Sequence, residues 1–128
     1  MKLKTGYLAD FVSLLFPELC QACSANLVAG EDLICTDCRY NLPFTNFHLK
    51  PGNLVAQQFW GKMHIEAGYA MCYFTKGGKM QHLMHQFKYR GVKKIGNLLG
   101  NIAGGQLIQS PVFKNVNAII PVPLHKSR

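Results

Sequence analysis

Apolar positions along the chain change their spacing several times, and each change marks a different kind of element. Tyr7, Phe11, Leu14 and Leu15 share one helical face and Pro17 follows them, which predicts an amphipathic helix over residues 6–16. Residues 43–64 hold no period and carry the breakers Pro43, Pro51, Gly52 and Asn53. Phe44, Phe47, Phe59 and Trp60 in this stretch predict a loop that packs down onto the protein. Ile65 to Phe74 is rich in strand formers, and Lys76, Gly77 and Gly78 end it with a turn, which predicts a strand. Helical spacing then returns: Met80, Leu83, Met84 and Phe87 stand at i, i+3, i+4 and i+7, and Gly91 breaks the run. A second helix is predicted from about Lys93, with Ile95, Leu98, Leu99, Ile102 and Leu107 on or near its apolar side and Ser110-Pro111 closing it. Ala118-Ile119-Ile120 is a short, wholly apolar run of the kind buried on both faces of a parallel sheet. The order strand, helix, helix, strand predicts the opening of an α/β fold.

The skipped segment, Leu19 to Leu42, is organised by cysteine. Cys20-Gln21-Ala22-Cys23 and Cys35-Thr36-Asp37-Cys38 are two CxxC units close together. Two residues between cysteines let a tight turn aim both sulfurs at one point, and a second such turn completes a tetrahedron. Four thiolates leave no open position, so the pattern predicts a structural zinc site with Cys20, Cys23, Cys35 and Cys38 as ligands. Iron in an all-thiolate site uses the same donors and stays open as an alternative. A redox pair explains either unit alone but not two so close. Metal binding at such a site contributes on the order of 10 kcal/mol to folding, which suits a module too short to build its own core. Cys72, inside the apolar run, is expected to be a small buried hydrophobe.

Composition sets the bounds. The chain has 128 residues, 48% hydrophobic and 16% charged, enough apolar material for a core and too little charge for a disordered chain. Fourteen Lys and Arg against six Asp and Glu give +8, falling to about +6 once four thiolates and one zinc ion are included. A basic surface attracts phosphates. Most basic residues are scattered as on any solvated surface; Lys88, Arg90, Lys93 and Lys94 cluster. No apolar run is long enough to span a membrane. Lys2 and Lys4 precede an apolar stretch, but Asp10 interrupts it and Pro17-Glu18 follows without a small-x-small cleavage site. A cytoplasmic protein is expected, where paired CxxC units are metal ligands rather than disulfides.

Other chemistry is sparse. His82 and His85 stand at i, i+3, a spacing that binds metal in helical bundles, but no carboxylate accompanies them, so surface or core histidines are expected. The sequence has no Gly-x-Ser-x-Gly, no Walker loop and no Gly-x-Gly-x-x-Gly. Glu31 and Asp32 lie between the cysteine units and Glu66 stands alone, which leaves no acid pair for hydrolysis.

Three features stand in a fixed order: the four-cysteine module, then Phe87-Lys88-Tyr89-Arg90-Gly91 at a helix end, then Ile119-Ile120-Pro121-Val122-Pro123-Leu124-His125-Lys126-Ser127-Arg128. In this order they resemble the ComF family of competence-associated, phosphoribosyltransferase-like proteins. The resemblance covers nearly the whole chain, and its last motif is the most specific. It implies an α/β architecture: a helix within 1–18, a four-cysteine zinc-ribbon module over 19–42, and the opening part of a type I phosphoribosyltransferase-like domain over 43–128. It also implies that Pro121, Pro123, His125, Lys126 and Arg128 sit in a strand-end loop facing a pyrophosphate, with Lys88 and Arg90 facing the same site or a nucleic-acid backbone. Ligands of open α/β sheets do lie beyond the carboxyl ends of strands. The plain alternatives are a rigid basic turn and a solvated helix end.

Two departures qualify the resemblance. Ser24 and Arg39 stand where the knuckles of such modules often carry glycine. The family's Arg-Gly-Phe/Tyr-Asn-Gln segment and its acidic Asp-Asp-Val-x-Thr-Thr-Gly loop, which holds the ribose and phosphate of phosphoribosyl pyrophosphate, do not occur in these 128 residues. Magnesium and phosphoribosyl pyrophosphate are therefore expected only in a full-length protein, and these residues alone are expected to lack phosphoribosyl transfer and to oligomerise, aggregate or show a loose C-terminal half. The family link implies a role in DNA uptake or nucleotide metabolism, with competence proteins as partners. The competing expectation is a non-catalytic zinc-ribbon module that binds single-stranded nucleic acid or a protein partner, with Phe44, Phe47, Phe59, Trp60, Tyr73 and Tyr89 as stacking platforms among basic residues.

Overall fold

The computed structural model describes residues 17–123; the expected helix over residues 6–16 lies outside them. Among the described residues four helices stand in order: α1 (Thr36–Tyr40), α2 (Leu54–Gln57), α3 (Lys79–Tyr89) and α4 (Lys93–Ile108), with single 3-10 turns at Phe47–Leu49 and Phe113–Asn115. The described residues divide into two compact units. One joins residues 17–45 to 72–101, the other joins 46–71 to 102–123. These units cut across the segments expected from sequence, because α3 and the first part of α4 pack with the cysteine module rather than with the later residues of the chain.

In the first unit the apolar stripes of α3 and α4 meet the cysteine module directly. Its core contains Cys20, Ala22, Ile34, Cys38, Leu42, Leu83 and Ile95, with Leu27, Phe44, Met80, Val92, Leu98 and Leu99 packed around them. Leu83 and Ile95 are completely buried. A module this small cannot bury a core by itself; it borrows one from helices more than 40 positions later, as the Lys79–Asp37 contact across 42 positions shows. Gly91 ends α3. Its φ of 67° lies in the left-handed region that glycine enters without a Cβ penalty, and the next residue's N–H, that of Val92, turns back to the Gln86 carbonyl.

The second unit is organised by Asn53. Its Oδ1 accepts from the N–H groups of Val55 and Ala56, capping α2. Its Nδ2 donates to the carbonyls of Phe47, Lys50 and Gly68. One buried amide therefore joins the 3-10 turn, α2 and the strand-like segment. Gly68 approaches α2 so closely that a Cβ there would stand 2.7 Å from the Ala56 nitrogen. In the same unit the Tyr69 hydroxyl bonds to Gln106 Oε1 at 2.7 Å, and its ring meets His48 and Phe113 edge-on.

Two expected strands take a different form. Within 65–74 only Cys72 pairs, in a single antiparallel bridge with Phe44, beside the Tyr73 N–H to Pro43 carbonyl bond. Residues 118–120 form no strand, and Ile119 is 92% exposed. A fully apolar strand is stable only between neighbours that satisfy its backbone and cover its faces, and among the described residues no strand lies beside it. The expected packing of the 43–64 loop is met in part: Phe47 is buried and Phe44 half-buried, whereas Trp60 is 65% exposed.

Asn53→Ala should destabilise the second unit by about 2–4 kcal/mol, through a lost cap and the lost amide donor to the carbonyls of Phe47, Lys50 and Gly68. Asn53→Asp should fare no better although aspartate caps equally well, because it turns a carboxylate oxygen toward those carbonyls. Hydrogen exchange over residues 46–71 and a denaturation curve check both; a near-neutral Asn53→Asp would show that only the cap matters.

Candidate metal centre

Each knuckle is shaped by its own backbone. The first is closed by the Cys20 N–H to Ala25 carbonyl and the Ser24 N–H to Cys20 carbonyl bonds, both 2.8 Å, below an antiparallel bridge between Leu19 and Asn26. Ser24 takes a φ of 62°, the left-handed turn for which glycine is commoner. The second knuckle needs no such residue. Cys35 is the N-cap of α1, its sulfur accepting from the Cys38 N–H at 3.4 Å, and Arg39 simply continues the helix. Between the knuckles the Glu31 carboxylate accepts from the N–H groups of Val28 and Thr36, at 3.1 and 2.7 Å. The Thr36 N–H chiefly holds this carboxyl below its usual pKa.

The four sulfurs converge. Cys20, Cys23, Cys35 and Cys38 have their Sγ atoms within 4.8 Å of one another, and none is in a disulfide. The Cys23 and Cys35 sulfurs are 3.8 Å apart. A zinc–sulfur bond of about 2.3 Å sets the edge of a sulfur tetrahedron at about 3.8 Å. The donor set therefore fits a tetrahedral thiolate-bound metal ion such as zinc. Cys20 and Cys38 are buried, Cys35 is half-buried and Cys23 is exposed, so one edge of the cluster faces solvent.

The electrostatics show why a cation belongs there. Burial alone would raise the Cys20 thiol, but N–H groups of Cys35, Ala22 and Cys23 outweigh it and bring the pKa to about 7. Cys38 goes the other way: burial, then the adjacent thiols of Cys23, Cys35 and Cys20, push it up strongly. Cys35 also ends raised, the N–H of Cys38 being outweighed by burial and its sulfur neighbours. Four thiols this close cannot all ionise unless a positive charge sits among them.

The other expected site residues are dispersed. His82 contacts the Ala22 carbonyl through Nδ1 at 3.2 Å, and the His85 ring lies 5.0 Å from that of Tyr89, so neither joins the sulfur cluster. Arg90 lines a cavity of about 400 Å3 with Gln21, Ser24, His82 and Gln86, whereas Lys88 lines a different one with Phe74, Met84 and Tyr89. Pro121 and Pro123 are exposed; His125, Lys126 and Arg128 lie outside the described residues. Cys72 is half-buried against the core and its thiol is raised to about 11 by burial, as a small apolar side chain would be. Lys79 and Asp37, joined at 3.0 Å, were not legible as partners, because nothing local links residues so distant in sequence.

No known family profile, curated protein or solved structure matches the chain. No described helix is long and apolar enough to cross a membrane.

Purified protein should carry about one metal ion per chain. Elemental analysis checks this, and less than half an equivalent with four titratable native thiols would refute it. Cys35→Ser should abolish tight binding and lower exchange protection over residues 79–101 as well as 19–42, because Leu83 and Ile95 share the core with Cys20 and Cys38. Metal affinity should fall as pH falls, since protons compete for the thiolates.

Proposed function

We propose that the four cysteines hold a structural zinc ion and that these residues supply the zinc-bearing N-terminal part of a ComF-like, phosphoribosyltransferase-type cytoplasmic protein linked to DNA uptake or nucleotide metabolism. The observation that carries this is the convergence of four sulfurs on one point, standing in sequence ahead of the Lys88–Gly91 and Pro121–Arg128 motifs that the family shares. The zinc is structural in this reading because all four positions of a tetrahedron are taken by cysteine, leaving none for water or substrate. Phosphate recognition falls to the basic motif residues, chiefly His125, Lys126 and Arg128 on the loop stiffened by Pro121 and Pro123. The α/β phosphoribosyltransferase-like architecture, and magnesium with phosphoribosyl pyrophosphate as its ligands, belong to the same proposal.

A second reading is favoured by one observation: Trp60, Tyr73 and Tyr89 are all substantially exposed, Tyr89 to 76%. Exposed aromatics on a basic protein offer faces on which unpaired bases stack. In that reading the protein is a non-catalytic module for single-stranded nucleic acid. Phe47, buried in its unit, drops out of the expected stacking set.

Deleting the gene in its host should lower transformation by external DNA or disturb nucleotide pools. A wild-type copy should restore the phenotype and a Cys35→Ser/Cys38→Ser copy should not. Unchanged DNA uptake and unchanged pools would remove the family reading. The chain has one tryptophan, so single-stranded oligonucleotides should quench its fluorescence under the second reading, with affinity falling steeply as salt rises. No quenching at low salt, and unchanged binding in Trp60→Ala, would exclude stacking at that residue.

A further inference from the structure

The side of α3 that does not enter the core borders two cavities of the first unit. Leu83 is completely buried and Met80 packs around the same core. On another side of the helix Gln81, Met84, His85, Lys88 and Tyr89 recur at i, i+3, i+4, i+7 and i+8. With Phe74 they line a cleft of about 330 Å3. Phe74 is 65% exposed and Tyr89 76%. The His85 ring lies 5.0 Å from that of Tyr89. Three rings, a thioether and one ammonium group therefore border a single opening.

His85 also lines a second cavity, of about 400 Å3, so the two adjoin. Gln21, Ser24, His82, Gln86 and Arg90 make up the rest of its polar lining. No Asp or Glu lines either cavity. Among the described residues the side chains of Ser24, Gln86, Lys88 and Arg90 form no hydrogen bond or ion pair within the protein. All four have N–H or O–H groups to donate. Cys20, the lining group able to carry negative charge, is buried, and its sulfur already accepts from the Cys35 N–H at 3.3 Å. It belongs to the knuckle that His82 touches through the Ala22 carbonyl. Arg90 follows His82 by eight positions, about 12 Å along a helix axis, which exceeds a Debye length of about 8–10 Å. A cation in a last helical turn is ordinary, because it complements the helix dipole. The dipole does not account for an aromatic cleft and an acid-free cavity meeting at the same turn.

We propose that α3 carries a nucleotide site: the base lies in the cleft between Phe74 and Tyr89, and its phosphate lies in the adjoining cavity against Arg90, with His85 at the junction. A base presents a flat face that stacks on aromatic rings and does so whatever its identity. A phosphate only accepts, so it needs donors and positive charge without a neighbouring carboxylate. Each cavity lies near the lower end of the about 300–1,000 Å3 typical of small-ligand sites, and the pair together falls well inside it. A bare anion has no use for the rings, and an apolar ligand has none for Arg90. The site rests on the nucleic-acid reading above and places it in the first unit, apart from Trp60 in the second. A free mononucleotide and an unpaired nucleotide of a longer strand share this chemistry.

The test titrates the metal-loaded chain into a short fluorescein-labelled oligodeoxythymidylate at low salt and reads anisotropy. Tyr89→Ala should weaken binding by about tenfold or more, and Tyr89→Phe, which keeps the ring, should stay within about threefold of wild type. Arg90→Gln should weaken binding and lower the slope of log affinity against log salt by about 0.7, one phosphate contact of a single strand. Lys114→Gln, in the other unit, should do neither. Thymidine monophosphate should compete for the wild-type site far better than thymidine or inorganic phosphate, since each of these fills one half of it. Competition at the affinity of the oligonucleotide assigns the site to free nucleotides, and competition about tenfold weaker or more assigns it to a strand. Oligonucleotide binding that is unchanged in both Tyr89→Ala and Arg90→Gln, or weakened equally by Lys114→Gln, would overturn the site and leave the nucleic-acid reading standing. Absence of wild-type binding to both the oligonucleotide and the monophosphate would remove that reading and the site with it.

Discussion

Four sulfurs within 4.8 Å of one another are a constraint the polypeptide does not satisfy by itself. As thiols they pack as small hydrophobes; as thiolates they repel, and burial makes the repulsion worse. The divergent shifts of Cys20 and Cys38 are that conflict made visible, one sulfur drawn toward ionisation by amide groups and the other pushed away from it by burial and its neighbours. A cation at the centre resolves it for all four. The tight turn at Ser24, the capping of α1 by Cys35 and the Glu31 clamp between the knuckles all serve to keep four donors at one point.

Much of this was legible in the sequence because it is local. CxxC spacing encodes a knuckle within four residues, and the periods of Met80-Leu83-Met84-Phe87 and Ile95-Leu98-Leu99 encode helices within a few turns. Glycine at 91 announced the end of α3 through its own conformational freedom. What the apolar face of a helix packs against is a long-range matter. The stripe of α3 reads the same whether it covers a sheet or a pair of metal knuckles, and it covers the knuckles. The strand readings failed for the same reason: Ala118-Ile119-Ile120 has the right residues for a buried strand, but strand formation depends on neighbours that composition cannot supply.

Asn53 illustrates a different limit. As a turn residue after Pro51-Gly52 it was legible as a breaker, and breaking is indeed part of what it does at the start of α2. That the same side chain also reaches the Gly68 carbonyl depends on where the chain returns fifteen positions later. Polar residues in nominal loops are read as solvated; this one is buried and carries the organisation of its unit.

The core of the first unit is assembled from segments far apart in the chain, and this bears on the order of events during synthesis. Lys79 comes 42 positions after Asp37, which a ribosome adding 5–20 residues per second covers in roughly 2–8 s. For that interval all four cysteines are present while α3, which packs in the same core as Cys20 and Cys38, has not been made. The burial of Cys38 in a core that includes Leu83 and Ile95 thus waits for residues 79–95.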